Sequence, residues 1–306
     1  MNGVMKSRTA IFALLAAGIL WGLTVPLSKL GLEWLGPGWL TVARFAAAAP
    51  LLAIVGRDGL RSAMTPAIAG AGAIGFGGVI LLQNVGIERT SVSHAALVVG
   101  AVPVLVALMA AGAGQGVARP SVWAGYALAL AGVALVAGAG GSGASLAGDA
   151  LVFASVLLSA SFIVVQPRLL AGQDPAAVTA VQFAAGALVA LPVAAAFEGL
   201  PGAPTVAGPV IGVVALAIAG TLLPFWLFAH GQSRVSARTA GAFINLEPLV
   251  GAAAGWLAFG DAVATGQLLG AVAVLAGIGL STVPEGRITR PRRRRPGPLR
   301  PIAGSC

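Results

Sequence analysis

The sequence predicts an all-α integral membrane protein, with ten transmembrane helices arranged as two inverted five-helix repeats. Three observations lead there. Of 306 residues, 58% are hydrophobic and only 9% are charged, whereas a soluble domain carries about 25% charged residues. The chain divides into apolar stretches of about 20 residues, the length that spans the ~30 Å hydrocarbon layer as a helix. It also repeats itself: Gly86, Arg89, Ser91, Pro103 and Gly132 reappear 145 residues later as Gly231, Arg234, Ser236, Pro248 and Gly277.

The apolar stretches fall at 9–30, 37–56, 66–86, 92–113, 120–140, 148–169, 175–196, 207–229, 237–259 and 264–284. Turn chemistry separates them: Gly36-Pro37-Gly38, Arg57-Asp58-Gly59, Arg119-Pro120, Gly172-Gln173-Asp174-Pro175 and Gly260-Asp261. The first stretch follows Lys6 and Arg8 in the manner of a signal peptide, but it runs on to Leu27 without a small-x-small cleavage site and reads as an uncleaved span. Two stretches are less sharply marked, 66–86 for its many glycines and the region 220–240 for its blurred boundary. Lipid leaves no partner for open backbone groups, and these runs are too long for barrel strands, so the spans are helices.

Orientation follows from Lys and Arg. With the N-terminus in the cytoplasm, eight basic residues outside the tail fall in inner segments, against Lys29 and Arg89 in outer loops. Both termini are thus expected inside. Seven arginines between Arg287 and Arg300 form a basic tail, 285–306, suited to anionic lipid on the cytoplasmic face rather than to nucleic acid. The one cysteine, Cys306, excludes a disulfide framework within the chain.

The repeats are read as 9–140 and 148–284. Each holds an odd number of spans, so the second lies inverted. That is the usual build of secondary transporters, with the substrate near the midplane between the halves. Alignment at a spacing of 138 also places Phe45-Ala46-Ala47 on Phe183-Ala184-Ala185.

The second half reads Phe228-Ala-His-Gly-Gln-Ser-Arg and then Phe243-Ile-Asn-Leu-Glu-Pro-Leu-Val-Gly, closes that span with Gly260-Asp261, and ends on a span spaced Gly270 to Gly277. The first half contributes Trp21-Gly22 with Lys29, Arg44-Phe45 and Ser93–Pro103. Over roughly 10–284 the chain resembles the EamA-type transporters of the drug/metabolite transporter superfamily. The resemblance implies ten helices in two inverted EamA repeats and transport of amino acids, sugars, nucleotide-related metabolites or drugs, mostly outward and in some members proton-driven. The repeats differ inside: Arg44 is answered by Gln182 and Trp21 by about Ala160.

Glu247 is the leading candidate, a carboxyl about ten residues into an apolar span. Ionisable groups at that depth are costly and mark functional sites. It is read either as a proton-coupling group or as a structural carboxyl beside a kink at Pro248, which frees the carbonyl of Ile244. Arg44, about 10 Å inside the outer boundary, is fit to hold a carboxylate or phosphate bidentately; the alternatives are snorkelling or pairing with Glu33 or Glu247. Lys29 is expected to snorkel. Trp21 lies mid-span and reads as a cavity wall or as packing. Gln83, His94, Gln182, Trp226 and Asn245 complete the candidate substrate contacts, each weighed against plain interhelical hydrogen bonding. Two histidines without an acidic cluster make a metal site unexpected, and no cofactor motif is present. Gly251-Ala-Ala-Ala-Gly255 and Gly266-Gln-Leu-Leu-Gly270 allow close helix contact, assigned to packing within the chain in preference to a homodimer.

The function expected is a secondary active transporter of the inner membrane that exports a small metabolite or amino acid by alternating access, with proton coupling. The alternatives are an integral-membrane enzyme or lipid carrier acting on a lipid-linked substrate, and a non-transporting membrane subunit. The enzyme reading is disfavoured by the expected lack of a His-Asp pair, a Ser-His-Asp set or a metal cluster.

Overall fold

The computed structural model describes residues 2–112, 120–138, 143–232, 243 and 246–282. All regular structure among them is helical. In chain order the apolar helices are α1 (Thr9–Gly31), α2 (Pro37–Val55), α3 (Pro66–Arg89), α4 (Val92–Val106), α5 (Pro120–Gly138), α6 (Leu146–Leu170), α7 (Pro175–Phe197), α8 (Ala207–Phe228), α9 (Leu246–Ala258) and α10 (Thr265–Thr282). Among the described residues six, α1–α3 and α6–α8, are long and apolar enough to cross a membrane.

Their starts follow from local chemistry. Thr65, Ser91 and Ser145 each accept a hydrogen bond from the backbone N–H three residues on, and Asp174 accepts from Ala176 and Ala177. These side chains satisfy N–H groups that a helix start leaves open. Pro37, Pro66 and Pro175 occupy first-turn positions, where a missing N–H costs nothing.

Several helices are irregular inside. α1 breaks at Leu23, between Gly22 and Thr24. α4 breaks at Gly100-Ala101 and resumes at Val102, so Pro103 sits in a fresh first turn. α3 and α8 each contain a π-helical turn, Ala73–Gly78 and Ile218–Leu222. The two π turns begin 145 residues apart, the spacing of the sequence repeat, and they fall in or beside the two stretches that are hardest to delimit in the sequence. The kink expected from Pro248 involves Ile244, which lies outside the described residues.

The helices pack in antiparallel pairs: α1 with α8, α2 with α7, α3 with α6, α4 with α9 and α5 with α10. Between membrane helices the drive is close van der Waals fit, and small residues permit it. A side chain at Gly132 would meet the Gly270 carbonyl at 2.7 Å, and one at Gly270 would meet the Gly132 carbonyl at the same distance. Gly86 lies against Gly148 and Val152 just as Gly231 lies against Ala10 and Leu14. In the α4–α9 pair, Gly100 faces Pro248 and Gly251 faces Ala96.

Contacts gather the loops at two ends. At one end Trp34 Nε1 donates to the Gly202 carbonyl, and the Glu198 carboxylate accepts from the backbone N–H groups of Gly38 and Trp39. At the other end Gly56 packs on Ala177 and Gly59 on Asp174. Every residue from Thr90 to Ala101 is buried, which makes the first half of α4 the hub of the bundle.

Candidate functional site

A chain of aromatic contacts is drawn from both halves of the sequence. Phe76 stacks edge-on against Phe162 and Phe183, Phe183 tilts on Phe45 at 4.9 Å, and Phe183 approaches Phe225. Phe225 and Phe228 then hold Trp21 at 5.5 and 5.1 Å. Phe45 and Phe183 are the two residues the sequence repeat aligns.

Arg44 is buried beside this aromatic line. Its Nε donates to Thr221 Oγ1 at 2.6 Å and its Nη2 to the Gly220 carbonyl at 3.2 Å. Both acceptors lie in the π turn of α8. The wider turn carries the Thr221 hydroxyl to the carbonyl of Leu216, five residues back, so that oxygen accepts from Arg44 while donating along its own helix. π turns of this kind recur at functional sites. An arginine at the centre of a span costs about 2.5–3.5 kcal/mol on insertion scales. Two hydrogen bonds from a charged donor, at about 1.5–3 kcal/mol each, are enough to hold it.

Thr221, Phe225 and Phe228 are spaced i, i+4 and i+7, one stripe of α8. That stripe joins Arg44 to Trp21. Glu247, at the start of α9, is partly buried, and its backbone carbonyl lies against Gly22, next to Trp21. Arg44 and Glu247 interact electrostatically through the interior without a direct ion pair between them. Trp21, Arg44 and Glu247 are therefore neighbours of one interior region, reached from α1, α2 and α9.

Other candidates fall elsewhere. Gln182 is fully buried on α7 and forms a reciprocal amide pair with Gln166 of α6, at 2.9 Å in both directions. Gln83 is partly buried on α3, beside Asn84, whose Nδ2 donates to Thr41 Oγ1. Trp226 is 62% exposed. Asn245 and the tail 285–306 lie outside the described residues. Lys29 does not snorkel: its ammonium donates to the carbonyls of Ile87, Glu88 and Thr90, capping the end of α3. Arg44 likewise takes neither Glu33 nor the surface as its partner.

The expected lack of a His-Asp pair is overturned. His94 Nδ1 lies 2.8 Å from Asp149 Oδ2, with both side chains buried. The two are 55 residues apart, and only the antiparallel packing of α3 on α6, with Gly148 against the end of α3, brings them together. The other oxygen of Asp149 accepts from Thr90 Oγ1 at 2.6 Å. His94 Nε2 has no partner among the described residues. Among the described residues no group of three His, Cys, Asp or Glu is placed to hold a metal.

Sequence reasoning does not distinguish Asp149, Thr221, Gly220 or Gln166. Asp149 stands at a predicted span boundary and reads as a loop charge. The Gly75–Gly220 match at the repeat spacing is the one signal in the sequence that points at the π turns.

Two segments, residues 8–138 and 146–283, match the model of the EamA-like transporter family. The chain is 27% identical over 282 residues to a probable terminal-alkyne amino-acid exporter of Streptantibioticus cattleyicolor, covering 90% of this chain and 93% of that one. It is 25% identical over 292 residues to an uncharacterized transporter of Archaeoglobus fulgidus, covering 92% and 99%. A solved crystal structure superposes with a TM-score of 0.66 at 20% identity, over 90% of this chain and 96% of that one, and shows the fold alone. With both segments matched and nearly the whole length covered, the chain belongs to the EamA-like transporter family and is a multi-pass membrane protein.

Proposed function

We propose that this family member is a secondary active transporter of the inner membrane, built of ten spans in two inverted repeats with both termini cytoplasmic. The two family-model matches, the π turns 145 residues apart and the antiparallel pairing of each half against the other support that reading. The charge bias of the loops supports the orientation, and the basic tail then meets anionic lipid.

The substrate proposed is a small zwitterion, an amino acid or a related metabolite, exported by alternating access. The observation that carries this is the buried Arg44 guanidinium, held by two neutral oxygens of α8. Arg44 offers a fork to a carboxylate. Glu247 offers a negative site to an ammonium group or a proton, and the Trp21–Phe225–Phe228 group forms an apolar wall for a side chain. Gln83 and Asn245 are secondary polar contacts, while Gln182, bonded to Gln166, serves the scaffold. Exchange of a proton on Glu247 for substrate couples export to the proton gradient. The exporter name of the Streptantibioticus relative supports the substrate class and the direction.

The test is reconstitution in liposomes preloaded with labelled amino acids. A pH gradient is expected to accelerate efflux through the wild-type protein, and Glu247→Gln is expected to abolish the acceleration and to weaken, without abolishing, substrate binding through Arg44. Efflux from wild-type vesicles that ignores the gradient would sink the coupling; no efflux of any tested amino acid would sink the substrate class.

A further inference from the structure

Among the described residues, the side-chain hydrogen bonds that join the two halves gather toward one end of the bundle. At the end of the bundle where α3 meets α4, three carboxylates of the second half close on the first: Glu198 on the start of α2, and Asp149 and Asp261 on the α3–α4 turn. Asp149 of α6 accepts from Thr90 Oγ1 and pairs with His94 Nδ1. Asp261, in the turn after α9, accepts from the backbone N–H of Ser93 at 2.6 Å, and Gln267 reaches Ser93 Oγ. Lys29 completes the arrangement on the carbonyls that end α3, within the electrostatic reach of Asp261 and Glu88. Each carboxylate lands where a helix start exposes N–H groups or where a hydroxyl and a ring nitrogen converge, so all three carboxylates have polar partners.

The repeat does not carry these residues over to the opposite end. In the register that matches Phe45 to Phe183, Asp149 is answered by Ile11; in the register that matches Gly86 to Gly231, His94 is answered by Thr239 and Asp261 by Gly116. Among the described residues, that end is closed by small-residue contacts such as Gly56 on Ala177. Among the described residues the network is thus confined to one end of a fold whose helix pairing is otherwise balanced.

We propose that Thr90, His94, Asp149, Ser93 and Asp261 form a latch that keeps the transport path closed at this end, and that the latch must part for substrate to leave there. His94 Nε2 is what poises it. This nitrogen is fully buried and has no partner among the described residues, an arrangement that costs free energy. Parting the latch lets water or substrate reach it. The closed state is thereby held by directional bonds yet carries its own incentive to open. Asp149 and Asp261 act as positioning residues, through Thr90, His94 and Ser93, and neither needs to touch substrate. The role assigned to the latch rests on the transporter reading; the hydrogen bonds that compose it do not.

A labelling experiment separates the two. With Cys306→Ser as background, one reporter is Val99→Cys, buried on α4 about 9 Å beyond Ser93 by helix rise. A second is Ala63→Cys, buried at the opposite end. A membrane-impermeant maleimide is applied to right-side-out and to inside-out vesicles. Thr90→Val, which removes a hydroxyl with little change in volume, is expected to speed labelling at position 99 about tenfold from one side only, as expected for the loss of one charge-assisted bond. Asp261→Asn is expected to act in the same direction, and labelling at position 63 to stay unchanged in both variants. Acceleration confined to the side where the α3–α4 turn lies supports the latch whichever face of the membrane that proves to be. Unchanged labelling at position 99 in both variants overturns it, and so does equal acceleration at position 63, which would mean general loosening. If wild-type vesicles transport no amino acid, the proposed substrate class fails while the labelling result stands on its own.

Discussion

Arg44 and Gln182 occupy matching places in the two halves. Arg44 is on α2, next to Phe45; Gln182 is on α7, next to Phe183; and the two phenylalanine rings lie against each other. Each polar residue also lies at the π turn of a helix in the opposite half. Arg44 reaches Gly220 and Thr221 within the turn of α8. Gln182 packs its backbone on Gly72, the residue before the turn of α3, and turns its side chain back to Gln166. The surroundings are alike and the chemistry is not. The scaffold is duplicated, one copy keeps a fixed charge, and the other is closed by a neutral amide pair that satisfies itself. A buried charge on one side only makes the two halves of the interior chemically unequal.

The largest effect is expected where the charge is removed. Arg44→Ala should lower efflux by roughly 100-fold or more, the equivalent of two charge-assisted hydrogen bonds. Arg44→Lys should not rescue it, because an ammonium cannot present the fork that reaches both Thr221 and Gly220. If Arg44→Gln, which copies the second half, keeps full flux, the asymmetry has no functional meaning. Glu247→Gln comes next: efflux should become independent of the pH gradient, measured with and without an imposed gradient at fixed internal substrate. Thr221→Val then removes one of the two acceptors and should weaken substrate binding about tenfold, read by thermal shift across a substrate titration.

The smaller effects concern the scaffold. The two π turns differ in what surrounds their glycines. A methyl group at Gly75 would overlap the Phe162 ring, whereas one at Gly220 would meet the flexible end of Leu216 at 2.9 Å. Gly75→Ala should therefore lower stability by about 1–3 kcal/mol, as overpacking does, and Gly220→Ala by less, measured by unfolding in detergent. Least of all, Gln182→Leu should cost about 0.6–2 kcal/mol by leaving Gln166 unpaired, and adding Gln166→Leu should restore most of that loss. A double variant no more stable than the single one would show that the amides have separate partners.

Much of this is readable from residue order. Apolar run length, loop chemistry and the 145-residue repeat locate the helices, and capping residues such as Asp174 and Ser91 locate their starts. Interior depth singles out Arg44 and Glu247, since a charge far from water is expensive wherever the chain folds. The partners of those charges are not readable. Thr221 is an ordinary threonine in an apolar run until a π turn rotates it toward α2. Asp149 reads as a boundary residue until α6 lies along α3, and Lys29 reads as a surface charge until the end of α3 arrives beside it. Burial cost is a property of one residue and its neighbours in sequence, so residue order by itself determined which charges need partners. Hydrogen-bond pairing depends on which helices lie side by side, and the tertiary structure alone decided that.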